Sequence, residues 1–289
     1  MQFRELEYPL PYKTILLKNG YSIAYLDEGE SDKTLLLVHG LGTYSLSWIH
    51  NIEELKKHFR CIAVDLPGYG KSSAGIHPGT MNFYSDILSD FIEALQLKNI
   101  SLAGHSMGGQ ISITFALLYP SVVKTLFLLA PAGIEIFTGS EELLIKKNFT
   151  ADTYFMNDEE KIRSSFTGNF YNMPAGAEFM IRDRIIMKES KNFYDHCRVV
   201  ANSLYGMLDE PVSGKLQELA CPVYIIWGEN DKLIPNPYFH PEKTPSEIAE
   251  SAASVIPDAK LFMIKECGHF IPFEKPLEVN SIIKSAFII

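Results

Sequence analysis

The stretch Ile100-Ser101-Leu102-Ala103-Gly104-His105-Ser106-Met107-Gly108-Gly109 decides how this chain is read. Its first four residues form an apolar run, as a strand buried on both faces requires, and a helical pattern continues to about Tyr119. Between them lies Gly-x-Ser-x-Gly. A serine that projects from so sharp a strand-to-helix turn has strained backbone, and side chains two residues away on either side would collide with their neighbours. Gly104 and Gly108 are small for that mechanical reason, and Gly109 adds room on the helix side. The helix then starts beneath Ser106, where its N-terminus favours negative charge. The pattern predicts a nucleophilic serine at position 106. The pentapeptide alone is also a common Gly-rich turn; the strand before it and the helix after it give it weight.

Working outward, further short apolar runs end in loops. Leu35 to Val38 ends at His39-Gly40-Leu41-Gly42, and Cys61 to Val64 ends at Asp65-Leu66-Pro67-Gly68-Tyr69-Gly70. Thr125 to Leu129 stops at Ala130-Pro131, and the runs Val223 to Trp227 and Lys260 to Ile264 follow late in the chain. Helical patterns separate them: Trp48, Ile49, Ile52 and Leu55; then Phe83, Ile87, Phe91, Ile92 and Leu95; then one near 245–254 and one from about Leu277. Residues 12–28 read as a hairpin turning at Asn19-Gly20. Such alternation predicts an α/β fold with a mainly parallel sheet and helices on both faces. Ligands in such sheets bind at the carboxyl ends of the strands.

The alternation stops between 134 and 211. Only helical patterns occur there, dense in aromatics, with Pro174 and the Gly206 region as expected breaks. The expected organisation is a core domain of residues 1–133 and 212–289, with 134–211 inserted as a helical cap, or lid, over the site.

A serine hydroxyl is a weak nucleophile at neutral pH and needs a base, which needs an orienting group. His269 follows the run 260–264 and Asp231 follows the run 223–227, so both fall on the sheet edge that carries Ser106. Singly, each has a plain reading, His269 in a capping loop and Asp231 in a solvated turn. Together, in the order Ser106, Asp231, His269, they are the expected catalytic set. Glu229 is the rival acid, nearer the strand end. The backbone N–H of Met107 and of Leu41 are the expected oxyanion donors, since glycines let the 39–42 backbone approach a ligand closely. His39 and Gly40, with Gly104 and Gly108, are expected to shape the site, and His39 to buttress its loop by a hydrogen bond.

The chain has 289 residues, 46% hydrophobic and 21% charged, in keeping with one large globular α/β unit. Its net charge of −9 argues against a nucleic-acid partner and against an anionic membrane surface. The first residues lack a signal-like apolar core, and no apolar run is long enough for a membrane span. The cysteines Cys61, Cys197, Cys221 and Cys267 match neither a zinc site nor a disulfide framework, so a cytoplasmic location is expected. Gly70-Lys71-Ser72 resembles the end of a phosphate loop, but Asp65 stands where a Gly is needed. No metal or cofactor is expected, and the sequence leaves the oligomeric state open.

With these pieces assembled, the chain resembles the α/β-hydrolase superfamily, in its capped group of carboxylesterases, epoxide hydrolases, dehalogenases, carbon–carbon bond hydrolases and cofactor-free haloperoxidases. The matching stretches are His39-Gly40-Leu41-Gly42, Asp65 to Ser72, Gly104 to Gly109, Trp227-Gly228-Glu229-Asn230-Asp231 and Gly268-His269. The resemblance implies eight strands, with the cap between the sixth strand and the next helix, and it favours Asp231 over Glu229. Ser at 106 disfavours epoxide hydrolase and dehalogenase chemistry, where similar proteins use Asp. Leu41-Gly42-Thr43 stands in place of the Ser-Gly-Pro-Gly common in carbon–carbon hydrolases, which lowers that reading. The expected function is hydrolysis of a small or medium, largely apolar carboxylic ester through an acyl-enzyme. The alternatives are carbon–carbon hydrolysis, perhydrolysis or acyl transfer by the same residues, and a receptor-like protein with little turnover. The link Ile234 to Pro245 is longer than usual and stiffened by its prolines; Tyr238 or Phe239 at the edge of the entrance is one reading of it, and a surface excursion without a role is the preferred one.

Overall fold

The structure is a computed structural model and describes residues 3–287. Its eight strands are β1 (Tyr12–Leu16), β2 (Ser22–Glu28), β3 (Thr34–Val38), β4 (Arg60–Val64), β5 (Ile100–His105), β6 (Val123–Leu129), β7 (Val223–Gly228) and β8 (Lys260–Ile264). Every residue of β3, β5 and β7 is buried. Strands that are apolar along their whole length, rather than in alternation, need cover on both faces, and helices supply it. They are α1 (Ile49–Leu55), α2 (Met81–Ala94), α3 (Met107–Leu118), α4 (Gly139–Asn148), α5 (Ala151–Phe155), α6 (Glu159–Thr167), α7 (Glu178–Lys188), α8 (Phe193–Asp209), α9 (Pro245–Val255), α10 (Ile271–Glu274) and α11 (Pro276–Ser285). In the core, α2 packs on α3, and α1 packs on α10 and α11.

The strands form one sheet in the order β1-β2-β4-β3-β5-β6-β7-β8. Only the pairings of β2, with β1 and with β4, are antiparallel. The chain leaves β3 for β4 on one side and returns to β5 on the other, so the carboxyl ends of β3 and β5 flank a topological switch point. That is where a crevice opens in such sheets. The register keeps the strand ends level: Val38 pairs with Gly104, His105 with Leu129, and Gly228 with Ile264.

Between β6 and β7 the chain forms α4 to α8 and no strand. Two details differ from the sequence reading. Gly206 does not break a helix; it lies inside α8, where an added Cβ would sit 2.4 Å from the Gly79 carbonyl oxygen. A close approach of α8 to the turn before α2 selects glycine there, at a propensity cost that packing offsets. After α8 the crossover to β7 holds only a 3-10 segment, Ser213–Glu218, instead of the full helix the resemblance implied. Pro174 does mark a break, ahead of a short 3-10 turn at Ala175–Ala177. All four cysteines are free and buried.

Candidate active site

Ser106 adopts φ 54° and ψ −118° between β5 and α3, a left-handed conformation that L-residues rarely take. The turn holds it there. Ser106 N–H donates to Leu129 O at 2.9 Å, and Ser106 O accepts from the amides of Gly109, Gln110 and Ala132. The two glycines have the predicted cause: a Cβ on Gly104 would lie 2.2 Å from Gly108 O, and one on Gly108 would lie 2.3 Å from Val38 O. Backbone cannot yield at such distances, so only hydrogen fits.

Asp231 and His269 meet. Their Nδ1 to Oδ2 distance is 2.8 Å, with both side chains almost fully buried. A carboxylate so buried needs its lone pairs filled. Asp231 Oδ1 accepts from the amides of Leu233 and Ile234, and Oδ2 accepts also from Trp227 Nε1 at 3.1 Å. The remaining lone pair fixes the imidazole with Nδ1 protonated and Nε2 free to accept. Glu229, the rival acid, is exposed. Ser106 and His269 both line one cavity of about 660 Å³ at the carboxyl edge of the sheet. Among the described residues no hydrogen bond joins the Ser106 hydroxyl to His269.

His39 occupies both ring nitrogens, Nδ1 donating to Gly40 O and Nε2 accepting from Leu66 N–H. Burial holds it neutral, with its pKa pushed down to about 4. It is thus tied into the loop that carries Gly40 and Leu41, both of which line the cavity. Met107 is buried at the first position of α3, where an amide has no carbonyl one turn back to pair with.

Three further side chains at this site escaped sequence reasoning. Trp227 supports Asp231 through its Nε1, a role that the matching stretch Trp227 to Asp231 did not assign. His105 donates from Nε2 to His269 O at 2.8 Å and so ties the serine turn to the histidine loop. Burial, then the nearby His269, drives its pKa well below the ordinary value. Arg184 is the third. It shares the buried face of α7 with Met180, Ile181 and Met187, a spacing at which a charged residue is itself a signal. Its guanidinium donates to Gly42 O and faces the rings of Tyr154 and Phe166 at 5.3 and 5.6 Å. Burial lowers its pKa to about 10, its Nε has no hydrogen-bond partner, and among the described residues it makes no ion pair with a carboxylate. It lines the same cavity. Among the described residues no cluster of His, Cys, Asp and Glu could hold a metal ion, and no helix is long and apolar enough to cross a membrane.

Comparison with known proteins fits this architecture. The profile of the family described as alpha/beta hydrolase fold matches residues 33–276. The chain belongs to the α/β-hydrolase family. Among curated relatives of this α/β-hydrolase is a dihydrolipoyllysine-residue acetyltransferase component of an acetoin cleaving system from Pseudomonas putida, 26% identical over 87% of this chain. The chain spans 62% of that relative's length. A 2-hydroxy-6-oxononadienedioate/2-hydroxy-6-oxononatrienedioate hydrolase from Escherichia coli K12 is 26% identical over 90% of this chain and 89% of its own. A solved structure of a probable hydrolytic enzyme from Pseudomonas aeruginosa superposes with a TM-score of 0.85 at 24% identity, covering 98% of this chain and 96% of its own. The last likeness speaks to fold alone.

Proposed function

We propose that this α/β-hydrolase is a serine hydrolase that cleaves a small or medium, largely apolar carboxylic ester through an acyl-enzyme. Ser106 attacks the carbonyl carbon as His269 takes its proton; the imidazolium passes that proton to the leaving alcohol. Asp231 holds the ring and stabilises its charged form. Met107 and Leu41 N–H receive the oxyanion. Water, deprotonated by His269, then releases the acid and frees Ser106. The segment 134–211 acts as a cap that keeps water from the reacting centre. One observation carries the reading: His269, held by Asp231 at 2.8 Å, lines the same cavity as Ser106 on its strained turn.

The test joins a label to a rate. A fluorophosphonate should form an adduct on Ser106 alone, located by mass spectrometry. Ser106→Ala should lose the label and about 10⁶-fold in turnover, the scale of such triads. An unlabelled wild-type protein, or a fully active variant, ends the proposal.

A second reading has an observation of its own. Arg184 is a buried cation without an anionic partner in the cavity wall, and burial of an unpaired charge is costly. It favours a substrate that brings a carboxylate, and the E. coli relative is named as the hydrolase of a dioate. The same triad would then cleave an ester or a carbon–carbon bond in an anionic substrate. Arg184→Met should raise KM for a half-ester of a dicarboxylic acid at least about 30-fold, while the matching neutral ester changes little. Equal losses on both would leave Arg184 as a prop for the Gly42 loop only.

A further inference from the structure

The link between Asp231 and α9 is stitched to the cavity, with Tyr238 in its lining. Glu135, just after β6, is 7% exposed. A carboxyl group so buried needs strong partners, and both come from that link. Glu135 Oε1 accepts from Asn236 N–H at 2.8 Å and from His240 Nδ1 at 2.5 Å. The contact continues in the rings beside it. Phe137 packs on His240 with centroids 5.4 Å apart and meets Phe239 edge-on at 6.2 Å. Asn236 folds the tip, its Oδ1 accepting from Tyr238 N–H and its carbonyl from His240 N–H.

These two strips of chain form one end of the cavity. Ile136 and Phe137 from one, and Pro237 and Tyr238 from the other, line it together with Ser106 and His269. Ile136 is 65% exposed and Tyr238 89%, so this end faces solvent. The near end of the link is anchored separately, by the amides of Leu233 and Ile234 on Asp231. Releasing Glu135 from His240 therefore frees the mouth without unfastening the carboxylate that orients His269.

We infer that the Glu135–His240 pair is a clasp that fixes the width of the cavity mouth and thereby selects substrates by the bulk of the acyl group. The inference rests on the esterase reading above for its substrates, and on the geometry alone for the clasp. A clasped mouth excludes long or branched acyl chains that the cavity of about 660 Å³ could otherwise hold. Neither residue touches the reacting atoms; both are positioning residues, acting through Phe137, Pro237 and Tyr238.

The test uses esters of one leaving group with acyl chains from acetyl to long and branched. His240→Phe keeps the ring against Phe137 but removes the N–H donor; Glu135→Ala removes the acceptor. Both should raise the kcat/KM ratio of bulky to acetyl ester about tenfold, through KM, because pocket size is worth that much per methylene-scale change. Glu135→Gln keeps an acceptor for both partners and should stay near the wild-type ratio. The effects of His240→Phe and Glu135→Ala should not add, since both open one contact. If a single variant fails to fold, the apolar pair Glu135→Leu with His240→Phe replaces it. An unchanged ratio, or an equal loss on every ester, overturns the clasp. Hydrogen exchange separates the clasp from the chemistry: the amides of Asn236 and 238–240 should exchange faster in Glu135→Ala, while those of Leu233 and Ile234 keep their protection. If no ester is hydrolysed the reading of the site fails, whereas unchanged protection at Asn236 and 238–240 overturns the clasp itself.

Discussion

Residues 100–116, which carry Ser106, are buried without exception, whereas α4 and α5, in the segment between β6 and β7, contain no buried residue at all. The first region is held by a sheet covered on both faces, with backbone bonds on every side of the strained serine. The second relies on local devices. Thr138 and Thr150 each close a capping box with the residue three positions on. The comparison teaches a division of labour. Chemistry that requires atoms fixed closely in space sits where packing leaves no alternative. Polar contacts join the segment between β6 and β7 to the core at many points, among them Tyr44 OH on Asp183, Arg184 on Gly42 O, Gln110 Nε2 on the carbonyls of Met207 and Glu210, Tyr69 OH on Ser203, and His196 Nδ1 on Gly68 O.

Adding one methyl group to each region should break the comparison open. Gly108→Ala would drive a Cβ to 2.3 Å from Val38 O and 2.5 Å from His39 O, and it should cost about 3 kcal/mol or more in denaturant unfolding. An unaltered midpoint would mean that the serine turn is softer than its packing implies.

A middle-sized effect belongs to pH. Burial pushes His39 and His77 down to about 4, and His196, at the seam between α8 and Gly68, down to about 3. These rings stay neutral in the folded protein while the unfolded chain protonates its histidines near 6.5. Stability is therefore intact above about pH 6.5 and falls as the pH drops toward 4, with a slope of up to about 1.4 kcal/mol per unit for each ring. Urea midpoints measured from pH 7 to pH 5 test it, and a flat profile contradicts it. His196 has the sharper reason to resist protonation, because its Nε2 is buried without a partner.

The smallest effect is Gly139→Ala at the start of α4. Nothing lies within 4 Å of the added Cβ. The change should raise stability by about 0.5 kcal/mol, by restricting the unfolded chain, and leave activity unaltered. A loss as large as that of Gly108→Ala would erase the distinction between the two regions.

Much of the core was legible because its signals are local. Apolar runs that end in Gly-rich loops give strands and their order, and Gly-x-Ser-x-Gly marks a turn whose sterics act over five residues. Asp231 could be preferred to Glu229 partly from that pattern; its buried hydrogen bonds with Trp227 and His269 follow from the fold. Local reasoning failed at Gly206, which looked like punctuation yet serves a helix-to-turn contact with Gly79 across more than a hundred residues of chain. It failed also at Arg184 and His105, whose partners are backbone carbonyls at Gly42 and His269 that no spacing rule anticipates.

By itself the sequence determined a mostly parallel α/β sheet, its interruption after the sixth strand, and the placing of Ser106, Asp231 and His269 at one edge. Those properties follow from periodicity and from steric limits within a few residues. Only the tertiary structure decided that the 232–240 link is tied to Glu135, that Arg184 lines the cavity without a carboxylate partner, and which residues of α4 to α8 reach it. Contacts between distant segments depend on how the elements pack, and packing is a property of the whole chain at once.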